Sequence, residues 1–373
     1  GKVRPEVEGS EEEEEESDAK QVGELSAALE SLQLLEWPEV CKQVACFCST
    51  SMAAELAVEG ALQLGQSFEE SVELLRQTGE AASAVGQLET AGVLDIRPGL
   101  AMVAAGGMLK GRQLDAVGGT IRAALRVVAL LGLCDDPTSV KLAAEIAGVP
   151  ADAQGSLSHC SALRDAMRGA VDADLLILLR ELTRCIRRGG ELANDASEFL
   201  TMVRQEREAN REALDKVIKS TAQYAFQKNL SDVKEGSLQM GRLCVSVKRG
   251  RQGELPNSGV TLATSNTGAT LYVEPSDAIP LNNEEMKLAA TEREEEQVIM
   301  VALSRAIHNC APSLLDLLDR VVVLDLACAR AKHAAWLGAV KPLLQRKADA
   351  HGQPHQIELR GLRHPLLLES SLA

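Results

Sequence analysis

Aromatic side chains are nearly absent from this 373-residue chain: two Trp, two Tyr and four Phe make up 2% of it. A core must therefore be filled by leucine, valine and alanine. That favours packed helices over a β-sandwich, whose strands draw on aromatic and β-branched residues. No apolar run reaches about 18 residues without a charge, and no secretory h-region opens the chain, so a membrane span and an export signal are not expected. The initial methionine is also missing, which fits a processing site or a cut. No Gly-x-x-x-x-Gly-Lys-Ser/Thr occurs, which excludes that route to cradling nucleotide phosphates. No repeat of solenoid period is found.

Cysteine is present but unpatterned. The nine residues at 41, 46, 48, 134, 160, 185, 244, 310 and 328 are odd in number and irregularly spaced. Reduced thiols and an intracellular protein are expected, not a disulfide scaffold. Cys41, Cys46 and Cys48 lack a second pair at zinc spacing and read as buried helix cysteines. The six histidines show no metal spacing; Pro354 interrupts the His351/His355 pair. No serine or cysteine has a nucleophile's setting, so no catalytic and no metal residue is expected.

Charge is present but displaced. Residues 1–36 hold twelve acids against three bases, which is −9 of the formal −15. A run such as Glu11–Glu16 repels itself and stays solvated, so residues 1–30 are expected to be an acidic disordered tail. The acidity of the whole chain thus leaves a nucleic-acid partner open, because a local basic patch is what matters.

Apolar spacing predicts short helices from Val22 to about Gly132. Ser67 and Glu70 suit a capping box at the start of one. Ile96–Gly99 is expected to break the pattern, and Asp135-Asp136-Pro137 to stop it. Residues 148–158 read as a loop, and Asp172–Arg188 as a helix closed by Gly189-Gly190. A heptad row then runs Leu200, Val203, Arg207, Asn210, Leu214, Val217, Thr221, Tyr224. A second row runs Met286, Ala290, Arg293, Gln297, Met300, Ser304, Ile307. Both have polar middles, so two long helices are expected to pair antiparallel, the first of them, over 197–228, reaching roughly 45–50 Å. Between them the period changes to two, with strands near 243–247, 260–263 and 270–273. Leu314–Leu337 reads as a further helix and Ile357–Arg360 as strand-like.

Within residues 241–253, Arg242, Lys248, Arg249 and Arg251 occur with no acid before Glu254. Such cations suit phosphate contact without base recognition, or an ordinary solvated turn. Phe68-Glu69-Glu70 reads better as helix start than as a base-probing wedge. Thr264–Gly268 reads as a tight hairpin.

Several segments together resemble one family. Leu94–Leu100 (LDIRPGL) resembles the Asp-Ile-Arg-Pro segment of type-two MutS proteins. Gly190–Leu200 resembles the stretch that leads into their lever helix. Gly241-Arg242 with Val245–Lys248 resembles the clamp strand, with Ser246 where the family usually has proline. Gly268–Pro275 followed by Leu281–Glu284 is the strongest match, and Leu359–Gly361 with Arg363–Leu367 resembles the entry to the ATPase. These motifs stand in the family's order from about Leu34 to Leu368.

The resemblance implies a mainly α fold: a helical core with a long antiparallel hairpin of lever helices that carries a small β-containing clamp at its tip. It implies a first core part over 31–196, levers and clamp over 197–310 with the β module near 241–275, a helical return over 311–350, and the start of a truncated ATPase domain over 351–373. It assigns the clamp, and so Arg242, Lys248, Arg249 and Arg251, to nucleic-acid contact. The family's phosphate-binding loop would lie beyond residue 373, as would its Smr module. The covered chain is thus expected to need no cofactor, while the full-length protein would use ATP and Mg. It would be a homodimer on mismatched or branched DNA, in repair and restraint of recombination. A second reading keeps the architecture and grips ribosomal RNA on collided ribosomes. A third is a coiled-coil scaffold. The expected location is cytoplasm or nucleoid, or an organelle such as the chloroplast in a plant or alga.

Overall fold

In the computed structural model, residues 30–60, 62–88, 90–133, 148–150, 152–257, 259–346 and 357–367 are described. The expected acidic tail and the stop at Asp135–Pro137 lie outside them. The chain is mainly helical, with one small antiparallel sheet. No single helix among the described residues is long and apolar enough to cross a membrane. The chain divides into two compact units, one of residues 1–98, 116–179 and 310–373, the other of 99–115 and 180–309.

The first unit is built on α10 (Ala311–Leu337), with α1 (Trp37–Ala45), α2 (Ser51–Val58), α3 (Phe68–Ser83) and α6 (Ser161–Met167) packed against it. Residues 324–329 of α10 are buried without a break, so the helix is covered on every side there. Asp325, fully buried, accepts from the backbone N–H groups of Ser49 and Thr50 and from the hydroxyls of Thr50 and Thr90, at 2.8–3.1 Å. The buried charge is thus satisfied by four donor groups and pins the start of α2 to α10. Of the three clustered cysteines only Cys41 is a buried helix residue; Cys46 is exposed and Cys48 half-buried, both past the end of α1, and burial beside Asp325 pushes the Cys48 thiol up to about 12.

The capping box forms with one difference. Ser67 Oγ accepts from Glu70 N, while the Glu70 carboxylate reaches back to Gln66 N, one residue earlier than expected. Ile96–Gly99 does not break the helical pattern but starts α4 (Arg97–Ala104), because Pro98 sits in the first turn, where its missing N–H costs nothing. Ile357–Arg360 is irregular and exposed instead of strand-like. A strand needs a neighbour for its backbone groups, and no described strand pairs with it.

The second unit is dominated by α8 (Glu198–Gln227) and α9 (Ala278–Asn309). As position rises along α8, its partner on α9 falls: Arg204 with Glu296 and Glu292, Arg207 with Glu292 and Glu285, Asn210 with the Leu281 carbonyl. The pair is therefore antiparallel, and at 1.5 Å per residue the 30-residue α8 runs about 45 Å. All eight positions of the expected row on α8 are buried or half-buried. The expected row on α9 holds only at its end: Met300, Ser304 and Ile307 are buried or half-buried, but Met286, Ala290, Arg293 and Gln297 are exposed. The inward row is Asn282, Glu285, Leu288, Glu292, Glu296, Ile299, Leu303, Ile307. Apolar spacing missed its first part because three of its eight members are carboxylates, drawn inward by arginines across the seam.

Between the two helices lies a four-stranded antiparallel sheet: β1 (Gly236–Gln239), β2 (Arg242–Lys248), β3 (Val260–Thr264) and β4 (Thr270–Glu274), in the order β1-β2-β4-β3. β1 was not expected; it is short and only alternately half-buried. The sheet's inner face (Val245, Val247, Val273) packs on Leu214, Ile218, Ala222 and Ala225 of α8, which places it at the outer end of the hairpin with its own small core. A side chain at Gly236 would fall 2.3 Å from Ile218, so that approach requires glycine. The β3–β4 connection is a tight hairpin, closed by Ser265 N to Thr270 O (2.9 Å) and Gly268 N to Ser265 O (2.8 Å).

Candidate nucleic-acid interface

The outer end of the hairpin is organised by one residue at a helix terminus. Asn229, in the left-handed region (φ 56), ends α8 and turns the chain. Leu230 then plugs the small core, and its carbonyl accepts from Lys248 N at 2.7 Å, which fixes the end of β2 beside the end of α8. The Asn229 amide oxygen accepts from Lys248 Nζ (2.9 Å), and its backbone carbonyl from Arg251 Nη1 (3.1 Å). Lys228, exposed, stands next to it in the chain.

The four sequence-predicted cations are therefore not in one place. Lys248, Arg249 and Arg251 gather at this end. Arg242 begins β2, six residues away, or roughly 20 Å at 3.3 Å per residue. Its guanidinium faces the α9 side: Nε and Nη2 donate to Glu274, Nη2 also to Asn283 Oδ1 at 2.7 Å. Glu274 is 3% exposed and also accepts from Asn282 Nδ2, while Asn282 brackets both backbone groups of Leu243. Arg242 thus serves to hold the sheet on α9.

The other three differ in how free they are. Lys248 also pairs with Asp232 (2.8 Å), and Arg251 is bidentate with Glu254 (2.7 and 2.8 Å), whose carboxyl it holds below the usual range. Arg249 is exposed; its guanidinium lies by the Gly268 carbonyl of the β3–β4 hairpin (3.5 Å), and no carboxylate pairs with it among the described residues. Lys234 lies 4.6 Å above the Phe226 ring on the last turn of α8. Sequence reasoning missed Lys228 and Lys234. Their signal was position: they flank the end of the long heptad pattern, outside the acid-free run 241–253.

No family model matches the chain. Against curated proteins, it is 31% identical over 350 residues to Endonuclease MutS2 from Synechocystis sp., which takes in 92% of this chain and 38% of that protein. It is 30% identical over 350 residues to Endonuclease MutS2 from Thermomicrobium roseum (91% and 40%). A Geobacillus Endonuclease MutS2 gives 27% over 343 residues (90% and 39%). The chain's relatives are type-two MutS proteins. It spans about two fifths of the length of these three.

Two features of the type-two MutS resemblance acquire physical reasons here. The strongest motif, Gly268–Pro275 with Leu281–Glu284, is the stretch that supplies Glu274, Asn282 and Asn283 to the Arg242 network. Ser246, where the family usually has proline, is 5% exposed and its hydroxyl is 3.0 Å from that of Ser231 in the chain leaving α8. A side-chain hydrogen bond ties the strand to that segment.

Proposed function

We propose that this chain is the lever-and-clamp region of a type-two MutS protein, and that the outer end of its α8–α9 hairpin grips the phosphate backbone of DNA. In the full-length protein the grip would serve an ATP-driven homodimer acting on mismatched or branched DNA. The observation that carries the reading is the gathering of Lys228, Lys248, Arg249 and Arg251 around Asn229, with Arg249 unopposed by any carboxylate among the described residues. The printed name of the relatives, endonuclease, is that of enzymes that cut nucleic acid, which supports a nucleic-acid partner. The sequence has no phosphate-binding loop, and no cluster of three or more His, Cys, Asp or Glu able to hold a metal occurs among the described residues.

Each phosphate neutralised by a lysine or arginine releases counterions, so log affinity falls with log salt by about 0.9 per contact on duplex DNA. Alanine at Lys228, Lys248, Arg249 and Arg251 should weaken binding about equally for every sequence and flatten that slope. Unchanged affinity with an unchanged slope would leave these residues as a solvated turn. Ribosomal RNA offers the same phosphate chemistry, so sedimentation of the full chain with ribosomes, with and without competing duplex DNA, separates the two polymers.

A further inference from the structure

A second group of unpaired cations lies at the other end of the same hairpin. Residues 105–113 carry Lys110 and Arg112 and no acid, and residues 184–190 carry Arg184, Arg187 and Arg188 and no acid. The backbone brings these two stretches into contact. A side chain at Gly111 would fall 1.8 Å from the Gly190 carbonyl, and one at Gly190 would fall 2.3 Å from Arg112 N. Gly189 (φ 96) and Gly190 (φ 88) both take the left-handed backbone that this approach needs. Asp115 Oδ2 fixes the contact by accepting from Gly189 N at 2.8 Å. On its other side the 107–110 loop is tied to the last turns of α9, where Ser304 Oγ accepts from Leu109 N at 3.0 Å. Arg305 follows Ser304 directly.

The closeness of backbone places Lys110 and Arg112 beside Arg188, and Lys110 one residue from the staple to α9 that Arg305 adjoins. All four are exposed, and none forms an ion pair among the described residues. Their neighbours are already spoken for: Arg184 pairs with Glu181 and Arg187 with Asp195. An ordinary solvated surface mixes its signs and pairs its charges; four unpaired cations held on rigid, glycine-stapled backbone do not follow that pattern. The end around Asn229, by contrast, spends Lys248 and Arg251 partly on carboxylates.

We propose that Lys110, Arg112, Arg188 and Arg305 form a second phosphodiester-binding surface, at the base of the α8–α9 hairpin, that contacts the backbone of duplex DNA independently of the outer end. The proposal rests on the DNA reading above but assigns a site that reading does not use. No aromatic lies in either stretch, so the contact is to backbone and is blind to sequence.

The test is titration of the full chain with a labelled 30-base-pair duplex over a range of salt, for four proteins. These are the parent, the base variant (K110A/R112A/R188A/R305A), a lysine counterpart of the base variant and the outer-end variant (K228A/K248A/R249A/R251A). The base variant should bind more weakly, with a log–log salt slope smaller by up to about 3.6, at about 0.9 per lost contact. Its lysine counterpart (R112K/R188K/R305K) should keep most of the slope, which separates charge from folding. Loss in the outer-end variant with none in the base variant would overturn this inference and leave the proposed function standing. No loss in either would overturn both.

Discussion

The residue that best separates structure from function is Arg242. It belongs to the same basic run as Arg249, yet the two face opposite demands. Arg242 is mostly buried against a carboxylate that is itself almost inaccessible, and removing one partner of such a pair leaves an uncompensated buried charge. Arg242→Ala should therefore destabilise the sheet by roughly 3–5 kcal/mol in denaturant melts. Arg249→Ala should leave stability within about 0.5 kcal/mol, since an exposed charge in a turn contributes little. Equal effects would mean that the buried pair is not formed. The sequence placed both in one candidate site because spacing reports proximity along the chain and not which end of a strand a residue occupies. A local reason for the remaining cations is also physical: Lys228, Lys248 and Arg251 lie at the C-terminus of α8, where the helix dipole favours positive charge.

His333 carries the pH dependence at this scale. It is 8% exposed, stacked on Trp336 and edge-on to Phe47, with Nε2 3.2 Å from Gln43 Oε1. Gln43 Nε2 donates to the Pro365 carbonyl, so its Oε1 is left to accept and His333 carries its proton on Nε2. Burial holds the imidazole below its ordinary value of 6.5. The unfolded chain then takes up the proton first as pH falls, so stability should decline from about pH 6.5 down to the folded value. In His333→Gln that part of the decline should vanish when melting temperature is followed between pH 7.5 and 5. A variant profile parallel to the parent's would contradict it.

At the scale of elements, the α8–α9 seam shows what periodicity can and cannot deliver. The row on α8 was legible because its members recur every three or four residues from Leu200 to Tyr224, with Leu200, Val203, Leu214 and Val217 apolar. On α9 only the end of the row, Met300 to Ile307, was legible; the rest was not, because Glu285, Glu292 and Glu296 look solvent-facing until Arg204, Arg207 and Arg211 are set opposite them. Pairing of charge across a seam depends on the partner helix, which a single helix's pattern does not contain. β1 and the Glu274–Asn282–Arg242 network escaped for the same reason: each exists only by contact with another element. The three strands that were legible, β2 to β4, alternate or are rich in β-branched residues and end at glycine turns.

The seam also has a testable middle. Burial pushes the Glu292 carboxyl up, but bonds from Arg204 and Arg207 outweigh it and hold the group below its ordinary value. The stability these pairs supply is present above the carboxylate's unfolded value near 4.5 and should be lost as pH falls through the folded one. Arg207→Ala leaves Glu285 and Glu292 short of a partner. Amide exchange in residues 203–211 should then accelerate well beyond that at either end of α8, where Leu200 and Leu214–Ala225 still pack. Uniform acceleration along the helix would show that the seam melts as a whole and that the ladder has no local role.

At the largest scale, a hairpin about 45 Å long lies between two sets of cations, one around Asn229 and one around Gly190. The first set carries the central claim. It is tested most directly by amide hydrogen exchange of the full chain, free and saturated with a 30-base-pair duplex at low salt. Bound DNA should slow exchange at residues 228–231, 248–252 and 265–270, the backbone that surrounds Arg249. Protection confined to other segments, with those three stretches unchanged at saturation, would contradict the account.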